Sequence, residues 1–418
     1  MSEDVFALVD KLWDGRATVT DHHPVTQAGS LVEVSDNCAF IPSFANVSAF
    51  STLDGLVLVD TGSQFLAQNI HTDIRRWNHN RLDTAVYSHG HIDHVFGVPL
   101  FEQESINNGW KAPRVIAHEA LPARFDRYIL TAGYNGVINQ RQFGVPGLTW
   151  PTEYRYPDET YSDSTRLEIG GTIFELRHAR GETDDHTWTW IPSLRTICCG
   201  DLFIWASPNA GNPQKVQRYP KEWAACLREM VALEPEVLLP GHGFPIRGKE
   251  RIVQALTDTA DFLDFLVDRT LELMNAGTGL NEILHSVEVP KAFMEKPYLK
   301  PVYDEPEFIV RNTWRQYGGW YDGDPSNLKP ARRSDLAKEI SSLAGGSMQL
   351  ASRAQALAGS GDFRLACHLI ELASLADPDD RSIHGIRAEI YRNRVAQETS
   401  TMAKGIFGWA ATESESRA

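Results

Sequence analysis

Cysteine is scarce in this chain and shows no metal-binding or disulfide pattern. The 418 residues include five cysteines, at Cys38, Cys198, Cys199, Cys226 and Cys367. Their number is odd, and no pair has the Cys-x-x-Cys spacing of a zinc ribbon or a redox motif. We therefore expect reduced cysteines packed inside a cytoplasmic protein, and we exclude a disulfide framework.

The sequence also lacks long apolar runs and an excess of basic residues. No apolar run reaches the length of about 18 residues that a membrane span needs, so we expect no membrane insertion. The acidic, amphipathic start MSEDVFALVDKLWDG does not fit a signal peptide. With 40 Lys and Arg against 55 Asp and Glu, the net charge is −15. Such a chain repels phosphate backbones, so nucleic-acid binding is not expected.

Hydrophobic periodicity separates an α/β part from a helical part. From about residue 30 to 245, short strands mix with crossover helices, which favours an α/β sandwich. The stretch KERIVQALTDTADFLDFLVDRTLELMNAG then predicts one long amphipathic helix, and the chain is helical after about residue 332. The predicted organisation is an N-terminal extension at 1–29, an α/β domain at 30–296, a helical domain at 297–410 and a tail at 411–418.

One segment of the helical part resembles a tetratricopeptide repeat. The residues GDFRLACHLIELASLADPDDRSIHGIRAEIYRNR have the helix–turn–helix pattern of such a unit. A single unit cannot bury its own apolar face. We therefore expect it to pack on the body of the protein or on a second subunit.

The strongest chemical signal is the stretch YSHGHIDHVFG at residues 87–97. His89 and His91 are two residues apart, so an extended backbone places both imidazoles on one face. Asp93 and His94 follow where the chain is predicted to turn towards a helix, and can therefore reach a neighbouring point. Imidazole and carboxylate ligands at this density suit Zn²⁺ or a similar divalent ion.

Six residues cannot supply every ligand of a metal site, so others must come from elsewhere in the chain. Three stretches each place a ligand-type residue just after an apolar run: GETDDHTW offers His186, TICCGDLF offers Asp201, and VLLPGHGFP offers His242. Loops at strand ends are where ligands converge in sheet-based enzymes. Taken alone, each of the three is weak evidence for a metal ligand.

The ordered series of these residues, preceded by LVLVDTG, resembles the metallo-β-lactamase superfamily over about residues 30–250. The resemblance implies an αββα sandwich with two metal ions along one edge. It implies these ligands: His89, His91 and His186 for one zinc ion, Asp93, His94 and His242 for the other, and Asp201 bridging the two. Asp60 of VDTG matches a carboxylate that steadies the histidine loop, and its alternative role is to cap the end of a strand. We also expect Asp93 and His242 to have catalytic roles.

The C-terminal third is similar to a more specific group within that superfamily. The residues YGGWYDGDPSNL and the Ala-rich helices after them resemble the dimerisation domain of the alkyl sulfatases, over about residues 297–395. In that family the helical domain joins two subunits and helps to cover the active site. The resemblance therefore implies a homodimer formed through this domain and a sulfate ester as substrate.

This sequence departs from the large alkyl sulfatases in two respects. Those enzymes usually have an acidic residue where His186 stands and another glutamate near Asp201, although Glu182 offers a carboxylate nearby. They also continue into a sterol-carrier-like domain that has no counterpart in this sequence. We therefore expect a small or medium alkyl sulfate as substrate and not a long-chain detergent.

A sulfate ester needs donors for its free oxygens, and arginine suits such an oxyanion best. NGVINQRQFG offers Asn139 and Arg141, and NPQKVQRYP offers Lys215 and Arg218. Comparable stretches in alkyl sulfatases hold an asparagine and basic residues that bind the head group. The alternative for each of the four is a solvated surface residue.

The expected activity is hydrolysis by water activated between two Zn²⁺ ions, with Fe or Mn at one position left open. No GxSxG motif or Cys–His pairing suggests a covalent nucleophile instead. Two alternatives remain open. One is hydrolysis of a lactone, carboxylic ester or phosphate ester at the same site, and the other is a metal-binding interaction protein without catalysis.

Overall fold

The computed structural model describes residues 5–26 and 29–418. The chain divides into two units. The first is formed by the described residues up to 132 together with 151–277 and 282–317. The second is formed by residues 133–150, 278–281 and 318–418.

Within the described residues, two β-sheets form the centre of the first unit, each with its strands in chain order. The seven strands of the first sheet are β1 (Val32–Ser35), β2 (Cys38–Ile41), β3 (Val47–Thr52), β4 (Gly55–Val59), β5 (Leu82–Val86), β6 (Arg114–His118) and β7 (Glu159–Tyr161). The six strands of the second sheet are β8 (Ser164–Ile169), β9 (Thr172–His178), β10 (Thr187–Ile191), β11 (Thr196–Gly200), β12 (Val237–Pro240) and β13 (Ile246–Arg247).

The described part of the chain also contains sixteen α-helices. They are α1 (Val5–Trp13), α2 (Ala67–Trp77), α3 (Val98–Asn108), α4 (Leu121–Leu130), α5 (Ala132–Phe143), α6 (Pro220–Ala232), α7 (Lys249–Asn275), α8 (Leu280–Ser286), α9 (Lys291–Met294), α10 (Pro306–Gly318), α11 (Pro325–Leu328), α12 (Arg333–Leu343), α13 (Ser347–Gly359), α14 (Phe363–Ala376), α15 (Arg381–Gln397) and α16 (Thr401–Glu415). Helix α7 is the long amphipathic helix that the sequence predicts. None of the helices in the described ranges combines the length and apolarity needed to span a lipid bilayer.

The two sheets of the first unit pack face to face. Because side chains alternate along a strand, Phe50 and Val57 point into the core between the sheets, whereas their neighbours Ala49 and Leu58 point to the opposite face. Phe174 of β9 reaches the same inner core, where its ring meets Phe50 edge to face with 5.5 Å between centroids. The interleaved apolar side chains hold the sheets together.

Helices cover the outer face of each sheet. Ile70 of α2, Phe101 of α3 and Phe125 of α4 pack on the first sheet. Leu227 of α6 and Leu263 of α7 pack on the second. The layers therefore run helix, sheet, sheet, helix, and the predicted αββα sandwich is confirmed.

The loops that follow parallel strands carry six of the seven predicted metal ligands, and His186 lies in the loop between the antiparallel strands β9 and β10. Strands β4 and β5 are parallel neighbours in the first sheet, and β11 and β12 are parallel neighbours in the second. Parallel neighbours end at the same edge of a sheet, where ligands commonly bind. Asp60 follows β4, and Asp201 follows β11. The loops after β5 and β12 carry His89 and His242.

The second unit is helical, as predicted. Its core is formed by small and branched residues of α13, α14 and α15, such as Ala354, Ile370 and Ile383. Helices α14 and α15 are joined by a short turn, which gives the helix–turn–helix of the predicted repeat. Residues 133–150 also belong to this unit, and Gly405 of α16 shows why. A Cβ on Gly405 would lie 1.9 Å from the carbonyl oxygen of Gln142, so only glycine allows the two backbones to approach so closely.

The units do not follow the predicted domain division. Residues 297–317 lie in the first unit, because Ile309 and Val310 of α10 are buried in the core on the outer face of the second sheet. The predicted tail at 411–418 is helical as far as Glu415. Buried Ala411 and the ion pair between Arg392 and Glu415, with 2.6 Å between nitrogen and oxygen, hold this end of α16 in place.

Candidate metal centre

Asp60 orients the loop that carries the histidines. Its backbone has φ of 62°, a left-handed conformation that aspartate tolerates better than most residues. The carboxylate accepts hydrogen bonds from the backbone N–H of Ser88 at 2.7 Å and from the Ser88 hydroxyl at 2.8 Å. Nδ1 of His94 lies 2.8 Å from Asp60 Oδ2, which directs the other ring nitrogen of His94 towards the site. Asp60 therefore lies where a steadying carboxylate was expected.

A second anchor, from Arg124 and Asp185, was not predicted. The backbone N–H of Gly90 donates to Asp185 Oδ2 at 2.9 Å. Nε of Arg124 donates to Asp185 Oδ1 at 2.7 Å, and its guanidinium also pairs with Asp184. Arg124 and Asp185 are both buried, so this charged pair fixes the peptide between the first two histidines of the motif.

One set of potential ligands is His89, His91, Glu182 and Asp201, here called the first ligand group. Their ligand atoms all lie within 4.8 Å of one another. His89 Nε2 is 2.7 Å from His91 Nδ1 and 3.6 Å from Asp201 Oδ2. His91 Nδ1 is 3.7 Å from Glu182 Oε1. The group thus supplies two imidazoles and two carboxylates around one point.

The second ligand group is Asp93, His94 and His242. Nε2 of His242 lies 3.4 Å from Asp93 Oδ2, and Nε2 of His94 lies 3.6 Å from the same oxygen. Nδ1 of His242 hydrogen-bonds the carbonyl oxygen of Phe44. That bond fixes the ring orientation and leaves Nε2 facing the other ligands.

Asp201 lies between the two groups. Its carboxylate oxygens are 3.2 Å from His242 Nε2 and 3.5 Å from His94 Nε2, in addition to the contact with His89. Burial alone would raise the pKa of Asp201, but His242 and His94 outweigh it and hold the pKa well below its usual value. A Cβ on Gly241 would lie 2.2 Å from Asp201 Oδ1, so the loop after β12 closes on this carboxylate only because residue 241 is glycine.

Burial and charge act differently on the histidines of the two groups. Burial lowers the pKa of His89 and of His91 well below the usual range, so both rings are neutral. Burial also opposes the charge of His242, but Asp201 outweighs it and raises the pKa of His242 to about 10. Asp201 likewise raises the pKa of His94 against the effect of burial. Neutral imidazoles are ready to bind a metal ion, and a cation at the second group would displace the imidazole protons.

Unpaired polar atoms show that the residues fit a metal ion. His94 Nε2, Glu182 Oε2 and Asp201 Oδ1 are buried and have no hydrogen-bond partner. A buried polar atom without a partner costs about 1–3 kcal/mol, so three in one place need an explanation. All three belong to the ligand groups, and imidazole nitrogen with carboxylate oxygen is a donor set for zinc and similar ions.

His186 was predicted as a ligand, but the structure places it outside both groups. Its Nε2 accepts a hydrogen bond from the backbone N–H of Asp201 at 3.1 Å. Its ring stacks on that of His89, with 4.9 Å between centroids. Glu182, four residues earlier in the same loop, takes the place expected for His186. The other six predicted ligands lie in one ligand group or the other.

Paired substitutions distinguish Glu182 from His186 as a ligand. We expect Glu182→Gln to weaken metal binding by more than the 10- to 100-fold that is typical when an outer partner of a ligand is lost. His186→Asn keeps a hydrogen-bond acceptor for the Asp201 amide and should retain its metal. Elemental analysis of both purified variants checks this, and the opposite pattern of metal loss would restore His186 as the ligand.

A polar loop at residues 207–219, here called the cation loop, brings two predicted substrate residues to the first ligand group. Arg218 is only 1% exposed, and its Nη2 lies 3.3 Å from Glu182 Oε1. Its Nε and Nη2 have no hydrogen-bond partner. Burial and the nearby charge of Arg218 lower the pKa of Lys215 to about 8, whereas Asp93 and Glu182 partly counteract them. Two basic side chains therefore lie beside the ligands.

The other two predicted substrate residues belong to the second unit. Asn139 and Arg141 are on α5, where the buried Asn139 amide donates to the carbonyl oxygen of Asn135 at 2.8 Å. Lys215 and Arg218 belong to the unit that holds the metal ligands, and Asn139 and Arg141 do not.

Two family models match separate regions of the chain. The model of the metallo-beta-lactamase superfamily matches residues 41–242, a range that includes both ligand groups. The model of the alkyl sulfatase dimerisation domain matches residues 279–417. The chain joins a metallo-β-lactamase domain to an alkyl sulfatase dimerisation domain. The resemblance identified from the sequence is thereby confirmed.

Relatives of this chain include a linear primary-alkylsulfatase of a Pseudomonas strain, which is 26% identical over 366 aligned positions. The alignment covers 81% of this chain and 68% of the relative. An (R)-specific secondary-alkylsulfatase of Pseudomonas sp. is 24% identical over 395 aligned positions, which cover 88% of this chain and 60% of the relative. The solved structure of the stereoselective inverting sec-alkylsulfatase Pisa1 from Pseudomonas sp. matches with a TM-score of 0.83 at 24% identity, over 93% of this chain and 66% of that one. The chain thus spans 60 to 68% of the length of these proteins, and the structural match shows a shared fold.

Proposed function

We propose that this protein is a dizinc hydrolase that releases sulfate from small or medium alkyl sulfate esters. The main support is the position of Asp201 between two ligand groups, with buried Arg218 beside the first of them. The two alkylsulfatases described above are relatives at 24 and 26% identity. Metal ligands provide the hydrolytic chemistry, and the buried cation favours an anionic substrate.

The ligand residues explain how such a centre would be held. His89, His91 and Glu182 would bind one divalent ion, and Asp93, His94 and His242 the other, with Asp201 shared. Two such ions supply Lewis acidity and lower the pKa of water to near neutrality. The contribution of this chain is to fix the ligands: Asp60 orients His94, and the Phe44 carbonyl orients His242.

Arg218 and Lys215 would bind the sulfate group. A sulfate monoester is negatively charged at neutral pH. Guanidinium N–H groups form well-aligned hydrogen bonds with its oxygens. Nε of Arg218 has no hydrogen-bond partner and would donate to the sulfate, whereas Nη2 lies 3.3 Å from Glu182 Oε1. Because the side chain is buried, little water competes with the anion for that donor. Arg218 would thereby hold the ester next to the ligand groups.

We also propose a homodimer formed through the second unit. The alkyl sulfatase dimerisation model matches most of that unit. Its helices α12 and α14 expose Leu336, Leu343 and Leu365, of which Leu343 is 87% exposed. Sedimentation of the purified protein tests this assembly, for which twice the chain mass is expected and a single-chain mass would argue against it. A cytoplasmic location remains our expectation from composition.

A panel of esters tests the proposed reaction. The purified protein is assayed with short and medium alkyl sulfates, a lactone, a phosphodiester and a β-lactam, and released sulfate is measured directly. We expect sulfate release that is lost on chelation and regained with Zn²⁺. Turnover of only the lactone or the phosphodiester would support the proposed metal centre but would assign a different class of substrate. Stable metal binding with no turnover of any ester would favour a non-catalytic protein.

A further inference from the structure

The cation loop contains no helix or strand between residues 207 and 219, yet it carries the buried side chain of Arg218. Backbone without regular structure must satisfy its polar groups by other means. The position of Arg218 therefore depends on the hydrogen bonds and packing contacts that hold this loop. Contacts with Gly181 and Glu182 hold part of the loop. A second set of contacts comes from a later segment of the same unit, residues 300–315.

The segment 300–315 holds the loop along its length. Near the start, the backbone N–H of Ser207 donates to the carbonyl oxygen of Lys300 at 2.9 Å. At the end, the side-chain amide of Asn312 donates to the Arg218 carbonyl at 3.1 Å and accepts from the Arg218 N–H at 3.3 Å. Between these ends, Asn209 donates to the Glu182 carboxylate and Arg315 Nη1 donates to the Lys215 carbonyl at 3.3 Å, while Asp304 holds the loop backbone itself.

Asp304 makes the most concentrated set of contacts. It is fully buried, and its Oδ2 accepts the backbone N–H of Gly211 at 2.5 Å and that of Asn212 at 3.2 Å. Its Oδ1 accepts the N–H of Glu305 at 2.8 Å. A Cβ on Gly211 would lie 2.3 Å from the carbonyl carbon of Phe308, so the loop backbone is pressed directly against the start of α10.

Holding a loop with a buried carboxylate costs free energy, because burial disfavours the charged form. Burial raises the pKa of Asp304 to about 7, although the amides of Gly211 and Glu305 favour its charged form. An asparagine offers only one acceptor oxygen, whereas the carboxylate accepts on both. The choice of aspartate is explained if the loop must be held rigidly.

We propose that Asp304 is a positioning residue for substrate binding, because it fixes the cation loop so that Arg218 and Lys215 face the ligand groups. Asp304 acts through the backbone of the loop and does not touch the substrate. This inference rests on the proposed function only for the identity of the anion. The positioning itself is a property of the protein alone.

The variant Asp304→Asn tests this, with Asp158→Asn as its control. Asp158 also accepts a backbone N–H, that of Val115 at 2.7 Å, but it lies beside β6 in the same unit. Hydrogen exchange is measured on the peptide that covers residues 207–219, and calorimetry gives the dissociation constant for inorganic sulfate. If Asp304→Asn fails to fold, Asp304→Ser leaves more space and is measured in its place.

We expect faster exchange in the cation loop and sulfate binding weakened about tenfold, the effect of losing one hydrogen bond that involves a charged group. Metal content should be unchanged. On an alkyl sulfate, KM should rise while kcat changes little, a split that a general loss of stability would not produce. Unchanged loop exchange or unchanged sulfate affinity would overturn the proposal. If the wild-type protein cleaves no sulfate ester, the proposed function fails, while exchange and sulfate affinity still decide the role of Asp304.

Discussion

Replacing Asp201 with asparagine is expected to remove metal from both ligand groups and to lower sulfate ester hydrolysis by about 10²- to 10³-fold, the size of effect seen when a group that stabilises transition-state charge is lost. The carboxylate of Asp201 contacts His89, His94 and His242, so one substitution affects ligands on both sides. An amide has nearly the same shape but no negative charge to offset a cation.

The control for this substitution is Asp258→Asn. Asp258 accepts a hydrogen bond from the hydroxyl of Tyr298 at 2.5 Å and pairs with Lys296 at 2.9 Å, away from the ligand groups. The Asp258→Asn variant should retain its metal and its activity. Metal content and rates are measured on both purified variants. Undiminished metal in Asp201→Asn would remove Asp201 from the ligand set and with it the idea of a shared carboxylate.

Replacing Arg218 with methionine is expected to lower kcat/KM for an alkyl sulfate by about 100-fold, because hydrogen bonds to a charged group contribute roughly 1.5–3 kcal/mol. Methionine fills similar space but cannot donate to sulfate oxygens. The change also leaves the nearby Glu182 without its cation, so metal content is measured alongside activity.

Arg228→Met is the matched control for Arg218→Met. Arg228 is on α6, where it pairs with Asp261 at 2.6 Å and Asp264 at 2.7 Å, and its side chain is 44% exposed. Its loss should leave turnover unchanged. Inorganic sulfate should inhibit the Arg228 variant normally and the Arg218 variant weakly. Equal inhibition of both variants would show that Arg218 does not bind the sulfate group.

The parts of the site that the sequence predicts are those whose residues are neighbours in the chain or follow strands directly. His89, His91, Asp93 and His94 lie within six residues, so local geometry alone brings them together. Asp201 follows a buried strand both in the sequence prediction and in the structure. An apolar run that ends in a polar residue is a reliable sign of a strand end. The α/β sandwich could likewise be predicted from short strands mixed with crossover helices, whereas its αββα order is implied by the resemblance to the metallo-β-lactamase superfamily.

The parts that the sequence does not predict depend on contacts between distant residues. Glu182 and His186 are both ligand types in one loop, and the path of that loop decides which faces the metal. Asn209 donates to the Glu182 carboxylate and Arg218 pairs with it, from 27 and 36 residues away. Arg124 belongs to no motif, and its role appears only when α4 packs beside the histidine loop.

The domain boundary differs from the prediction for a related reason. Residues 300–315 are placed in the helical domain by the resemblance to the alkyl sulfatase dimerisation domain, yet they pack in the first unit and hold the cation loop. Burial of Ile309 and Val310 in the core of that unit decides their position, and no local pattern shows which core a helix will join. The same holds for residues 133–150, which join the second unit through the contact of Gln142 with Gly405.

Metal analysis of the purified wild-type protein, combined with sulfate release before and after chelation, tests the central claim most directly. We predict two divalent ions per chain, loss of sulfate release when they are removed, and its recovery when Zn²⁺ is restored. Full activity in a metal-free sample, or one bound ion per chain in the fully active protein, would contradict a dinuclear centre built around Asp201.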